Sequence, residues 1–344
     1  MSYTVLLTCV GGELLSKLAL DLKKKSRHNI RLIGTDVDPN AVGKNFCDEF
    51  SVVPYGKSPK FIPTILELVE KYKINLIIPT SDEEAIAIAS SKEKFDKVGC
   101  KIACTEYEKI RIMIDKVKTY NYLEKHGLHT PKWAKVEKLD KLKSVVESMC
   151  TEYGAVVVKP ARSRGGRGVH IIDPKIKGIK RHDDRREIIC DLSSFADTLM
   201  PLLSEELPLL VMEKLVEPVF DLDLLAWKGK SIRIVARRRI NSAVPNAGHK
   251  IISDSKLLEL GENIIDIFSL SWLYDCDVMY NSLGQPCVLE INPRQSGSIA
   301  VSTTAGFPML DDIISLAKGE DIPHVNRTSG INIIPYTSLA VSKK

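Results

Sequence analysis

The first third of the chain alternates short apolar runs with longer stretches whose apolar residues fall three and four apart. Tyr3–Cys9 reads as a strand, and the turn Gly11-Gly12 leads into an amphipathic helix over Leu14–Lys25. Ile30–Gly34 is a second strand that runs out at Asp36 and Asp38-Pro39. Phe61–Lys73 is helical, and Leu76–Pro79 is a buried strand followed by the acidic turn Ser81–Glu84. Strand, helix and strand in repetition predict a parallel sheet covered by helices over residues 1–110. A helix over Ile112–His126 should stop at Gly127, with Pro131 beyond it. Trp133–Val136 and Ala155–Lys159 read as strands with a helix between them, and the charged stretch 174–187 as a surface loop. Three strands between Leu209 and Ala236, a loop at Asn241–Lys250 and a helix at Leu257–Phe268 follow. Two short runs flank the turn Asn281–Pro286 and predict a hairpin. A small closing segment, 323–344, ends the chain.

Composition narrows the class. A hydrophobic share of 44% with 27% charged residues describes a soluble globular protein, and 344 residues suggest about two domains. The net charge of +5 is spread along the chain, apart from Lys23–Lys25 and Arg237–Arg239. A nucleic-acid surface would gather its cations on one element, so no nucleic-acid partner is expected. Eight scattered cysteines without a Cys-x-x-Cys pair predict reduced, structural thiols and a cytoplasmic location. The N-terminus lacks the features of a signal peptide, and no run is long enough to span a bilayer.

The predicted hairpin carries the chemistry. Strand alternation puts Glu290 and Asn292 on one face with Val288, and Leu289 and Ile291 on the other, while Asp277 converges from the facing strand. Two carboxylates and an amide oxygen are hard ligands suited to Mg2+. Arg294 follows, a planar cation able to grip a carboxylate or phosphate. Val156–Gly168 runs from a strand into a glycine-rich turn containing Gly165 and Gly166, which can bring backbone amides close to a polyphosphate, with Lys159 at the strand end as a point charge. The strand Val211–Val216 ends in an irregular segment that could read an adenine edge, with Asp221 placed for ribose hydroxyls. Arg237 and Arg239 share one strand face and could complement phosphate or carboxylate. Gly11-Gly12 followed by Asp36 lacks the third glycine of a dinucleotide fingerprint, so a tight turn is the better account.

The order of these parts resembles the ATP-grasp superfamily, most closely one synthetase unit of the carbamoyl phosphate synthetase large subunit. The resemblance rests on Val288–Ala300 with Ala305–Pro308, on Lys159-Pro160 with 163–168, and on Asp115-Lys116 with Leu123–Gly127. It implies an α/β fold: an N-terminal Rossmann-like parallel sheet over 1–110, then an ATP-grasp fold of two α+β subdomains over 111–322, with the glycine-rich lid at about 130–215. It implies that Lys116 and Lys159 contact ATP phosphates, that the glycine loop closes over them, and that Glu213, Lys214, Leu215 and Val216 form the adenine hinge. Asp221 would take the ribose. Asp277, Glu290 and Asn292 would hold Mg2+ or Mn2+, and Arg294 would serve the chemistry, with Arg239 and Arg237 added to it by their shared strand face.

The implied activity is an ATP-dependent, ADP-forming ligase. It would activate a small carboxylic acid, an amino acid or a related acid, as an acyl phosphate and join it to an amine. The partners are then small molecules, with a homodimer as the assembly. The alternatives are a bicarbonate-activating enzyme of the carboxylase or carbamoyl phosphate synthetase type, and a regulatory module that binds ATP without turnover. A single unit without an ammonia-generating domain departs from the full carbamoyl phosphate pattern.

Overall fold

The computed structural model describes residues 2–341 except 164–166, 182–185 and 327. Gly165 and Gly166 therefore lie outside the described residues.

The first sheet is fully parallel, in the order β3-β2-β1-β4-β5. Its strands are β1 (Tyr3–Leu7), β2 (Ile30–Asp36), β3 (Glu49–Val52), β4 (Leu76–Ile78) and β5 (Lys101–Ile102). Helices α1 (Leu15–Lys25), α2 (Phe61–Tyr72), α3 (Asp82–Ser90) and α4 (Lys92–Lys97) supply the crossovers. The central strands β1 and β4 read as continuous apolar runs because helices cover both faces. One face packs on α2 and α3 through Leu6, Ile33, Phe61, Ile65 and Ile77. The other joins a core that continues into the C-terminal half, through Val5, Leu7, Leu32 and Leu76.

The helix expected over Ile112–His126 is two helices, α5 (Tyr107–Met113) and α6 (Lys116–Lys125). Asp115 leaves helical geometry and its side chain accepts from the Lys118 amide, so it caps a new helix rather than continuing the old one. That break places Lys116 on the first turn of α6, where it is buried.

The second sheet, β6-β11-β7-β8-β10-β9, comprises β6 (Trp133–Val136), β7 (Val156–Pro160), β8 (His170–Ile172), β9 (Ile179–Lys180), β10 (Ile188–Cys190) and β11 (Leu209–Glu213), backed by α7 (Leu139–Tyr153). The charged stretch expected to be a loop thus contributes the edge strand β9. The third sheet is antiparallel, in the order β16-β15-β12-β13-β14-β17. It contains β12 (Val216–Trp227), β13 (Lys230–Arg239), β14 (His249–Ile252), β15 (Trp272–Tyr280), β16 (Pro286–Asn292) and β17 (Asn332–Ile333). The loop expected over Asn241–Lys250 is shorter, because His249 already opens β14 and pairs with Arg239. Among the described residues no helix is long and apolar enough to cross a membrane. All eight cysteines are free, and seven are buried.

Candidate active site between the second and third sheets

A cavity of about 190 Å³ opens where the two sheets face one another across the β11–β12 connection. Its walls divide by chemistry. Val157, Ile171 and Met212 come from the second sheet, and Met279 and Leu289 from the third. Together they form an apolar slot of the kind that sandwiches a flat ring. Lys214 and Leu215, the two residues between β11 and β12, sit at its edge with Glu217. Glu213 lies just outside, its carboxylate accepting from the Lys132 amide at 2.9 Å. Val216 is exposed and does not line the cavity.

The polar end contains Lys116, Lys159, Ser163, Arg239, Asp277 and Glu290. Lys116 is fixed from two sides: its backbone amide donates to Ala161 O at 3.0 Å, and its Nζ donates to Ser163 O at 2.6 Å. The same Nζ lies 3.1 Å from Glu290 Oε2. Burial alone would raise the Glu290 carboxyl, but Lys116 and Lys159 hold it below the usual range. Lys159, on β7, is buried and, among the described residues, donates only to Tyr120 Oη at 3.4 Å. Burial, and then the neighbouring Lys116 charge, push its pKa down to about 7. Tyr120 in turn donates to Leu289 O at 3.0 Å, so α6 ties the two walls together.

Asp277 and Glu290 stand opposite each other on β15 and β16. The ladder shifts between Asp277 and Val278, and this bulge corrects the simple alternation read from sequence. Leu289, not Val288, lies beside Glu290 at the cavity, while Val288 is wholly buried in the core. Asn292 pairs with Asp275, one step further along, and its amide donates to Asp275 Oδ2 at 3.0 Å. Asn292 is buried and does not line the cavity. Asp275 was missed in the sequence, though its position two residues before Asp277 puts both on one strand face.

Behind this surface lies a buried ion network. Both oxygens of Asp221 accept from Arg239 at 2.6–3.1 Å, and Oδ2 is 2.9 Å from His249 Nε2. Burial opposes ionisation, yet Arg239 and His249 hold Asp221 well below the usual carboxylate range. Its expected place at a ribose is therefore corrected: it sits mid-strand in β12, fully engaged. Arg239 continues to Asp277 Oδ2 at 2.7 Å. Arg237, expected among the reacting cations, is completely buried instead, held by Asp223 at 2.8 Å and Ser298 at 2.7 Å. Its alternation with Arg238 and Arg239 holds, but it serves the frame of the site.

Carboxylate oxygens of Asp221, Asp275 and Asp277 lie within 4.8 Å of one another. Asp221 is already neutralised, so this trio is a poor cation seat. Asp277 and Glu290 suit a hard cation better: both line the cavity, and Asp277 Oδ1 is buried without a partner among the described residues. Arg294 is nearly buried, its Nε 2.9 Å from Asp82 of α3 and its Nη1 2.9 Å from Gln295 O and 3.6 Å from Asp275.

A slot between a mixed sheet and an antiparallel one, with lysines on one wall and paired carboxylates on the other, defines a two-lobed clamp. Family models match in succession along the chain. One described as PylC-like, N-terminal domain, takes residues 5–103. A YheC/D like ATP-grasp model takes 109–211, and one described as ATP-grasp in the biosynthetic pathway with Ter operon takes 205–339. The chain is a member of the ATP-grasp superfamily. The carbamoyl-phosphate synthase of Methanobrevibacter smithii is 22% identical over 323 residues, covering 89% of this chain and 79% of that protein. The fold is similar to the biotin carboxylase domain of Hydrogenobacter thermophilus 2-oxoglutarate carboxylase, with a TM-score of 0.68, 14% identity and coverage of 94% and 71% of the two chains. N5-carboxyaminoimidazole synthetase from Staphylococcus aureus gives 0.67, 16%, and 94% and 79%. L-amino acid ligase from Bacillus licheniformis gives 0.62, 11%, and 92% and 74%.

Proposed function

We propose that the protein is an ATP-dependent ligase that converts a small carboxylic acid into an acyl phosphate and passes the acyl group to an amine, releasing ADP and phosphate. The observation that carries this reading is the convergence of Lys116, Lys159, Asp277 and Glu290 on one cavity whose other end is an apolar slot at a strand connection. The slot would take adenine, with Lys214 and Leu215 at its edge. Lys116 and Lys159 would contact the phosphates from the second-sheet side. Asp277 and Glu290, with Asn292 beneath them, would hold Mg2+, which when bound neutralises phosphate charge. Arg294 would face the transferring phosphoryl group, where a planar cation offsets charge on its oxygens as a carboxylate attacks. A carboxylate is a poor electrophile, and phosphate then becomes its leaving group. The protein's contribution is position and fixed charge.

The named relatives favour one second reading, in which bicarbonate is the acid activated. A single coupled ADP-release screen separates the cases. Bicarbonate, amino acids and small carboxylic acids are each offered with and without ammonia or an amino acid as acceptor. ADP release that requires a carboxylate, with an acyl hydroxamate appearing when hydroxylamine replaces the amine, is the expected result. AMP and pyrophosphate as products refute the mechanism, and ATP binding without turnover on any acid indicates a regulatory module.

A further inference from the structure

The N-terminal sheet supplies a residue that reaches Arg294, whose guanidinium feels the charges of Glu290 and Asp277 at the polar end of the cavity. Asp82 stands at the first position of α3, immediately after the C-terminal end of β4. Arg294 lies just beyond β16, distant in sequence, and its Nε meets Asp82 Oδ1 at 2.9 Å. Both side chains are nearly buried, at 16% and 14% exposure, so this contact is shielded in a way that surface ion pairs are not.

The structure fixes Asp82 firmly. Ser81 caps α3, its side chain accepting from the Glu84 amide. The Glu84 carboxylate is buried and accepts from Thr8 at 2.6 Å, Cys9 at 3.2 Å and Ser81 at 2.9 Å. The first turn of α3 is thereby bolted to the end of β1. Gly56 presses against the same turn, and a Cβ there would stand 2.8 Å from the Glu83 carbonyl carbon and the Glu84 nitrogen. The turn carrying Asp82 therefore has little room to shift. On the opposite side, Arg294 is steadied by Gln295 O and approached by Asp275.

We propose that Asp82 is a positioning residue: it orients the Arg294 guanidinium across the seam between the N-terminal sheet and the third sheet, so that Arg294 can meet the transferring phosphoryl group. The proposal rests on the reading of Arg294 given above. It makes docking of the N-terminal sheet a condition of phosphoryl transfer. An arginine fork works through its plane, and partners on Nε and Nη1 set the rotation of that plane, which leaves Nη2 for the ligand.

The test uses the full chain and a probe that needs no knowledge of the acid. MgADP alone is compared with MgADP plus aluminium fluoride, which mimics the phosphoryl group in flight. Affinities are measured by calorimetry for the parent, Asp82→Ala, Asp82→Asn, Arg294→Lys and the double variant Asp82→Ala/Arg294→Lys. MgADP affinity should be unchanged in all of them. The aluminium fluoride complex should weaken about tenfold in Asp82→Ala, less in Asp82→Asn, and in the double variant no more than in Arg294→Lys alone, because residues acting through one group are not additive. If Arg294→Lys leaves the fluoride complex as tight as before, the reading of Arg294 itself fails. If Arg294→Lys weakens it but Asp82→Ala does not, or if the two losses simply add, Asp82 is not a positioning residue. Thermal denaturation of each variant identifies any that fail to fold, and Asp82→Asn, which keeps shape and a hydrogen-bond acceptor, then carries the comparison.

Discussion

Lys159 offers the sharpest quantitative test of the site. Its amine is buried beside Lys116, and burial and that charge bring its pKa to about 7. An arriving polyphosphate supplies the negative charge that the site lacks on that side, so the bound complex should restore the protonated amine. Binding then takes up protons in proportion to the neutral fraction of the free protein. That fraction is about 0.1 at pH 6, about one half at pH 7 and about 0.9 at pH 8. The corresponding weakening of apparent MgATP affinity is negligible at pH 6, about twofold at pH 7 and about tenfold at pH 8. The sign for folding is also fixed. A lysine with a folded-state pKa below its unfolded value pays for a buried charge at low pH, fully so below pH 7. Stability without nucleotide should therefore climb as pH rises from 7 toward 10.5. Calorimetry at each pH, in two buffers of different ionisation enthalpy, reads the proton uptake directly. Lys159→Met should remove the uptake and flatten the pH dependence attributable to this group. Equal uptake in Lys159→Met and the parent would refute the assignment.

Three further outcomes follow from the same geometry. Glu290→Gln keeps the shape of the side chain but removes the charge that faces Lys116, and ADP release should fall at least ~100-fold with the fold intact; near-normal turnover would remove Glu290 from the metal and phosphate end. Asp221→Asn should cost about 3 kcal/mol of stability, because Arg239 and His249 lose a buried partner. It should not change the preference for ATP over 2′-deoxy-ATP, whereas a selective loss of ATP binding would return Asp221 to the ribose. Arg237→Met leaves Asp223 buried without its cation and should destabilise by about 3–5 kcal/mol in denaturant titrations. Nucleotide affinity of the folded fraction should stay as in the parent, and a selective loss there would put Arg237 in the site.

The parts of the fold that were legible in sequence are those written in local periodicity. The parallel N-terminal sheet follows from apolar runs alternating with helical stripes. The hairpin of Asp277 and Glu290 follows from two short runs around a turn. What failed to show was decided by single local interactions or by contacts far apart in the chain. The break at Asp115 depends on one side chain capping one amide, which an apolar pattern does not register. The bulge beside Asp277 moves Leu289 to the cavity and Val288 to the core, and strict alternation has no term for an extra residue. Asp221 was placed at a ribose because it follows the irregular end of the strand Val211–Val216; in the folded chain β13 and β14 bring Arg239 and His249 onto it.

The burial of Asp221 has a physical cause that bears on how the site works. A strand that ends one lobe of a clamp must present charge to a ligand on one face and bury its flank in the core. Along β12 and β13, Asp221, Asp223, Arg237 and Arg239 meet this demand by neutralising one another within hydrogen-bond distance. Charges locked in that way cannot relax when a highly charged substrate arrives, and fixed dipoles that need no reorganisation stabilise a transition state better than mobile ones. Arg239 links the two layers, since it accepts burial through Asp221 and reaches the cavity through Asp277. On this argument the network should act through the orientation of Asp277. Replacing Arg239 by Lys, which keeps a charge but cannot bridge both carboxylates as a planar fork, should therefore lower phosphoryl transfer more than it lowers stability. Calorimetric affinity for MgADP with and without aluminium fluoride, set against denaturant titration of the same variant, measures both. Loss of stability with an unchanged fluoride complex would show that the network supports only the fold.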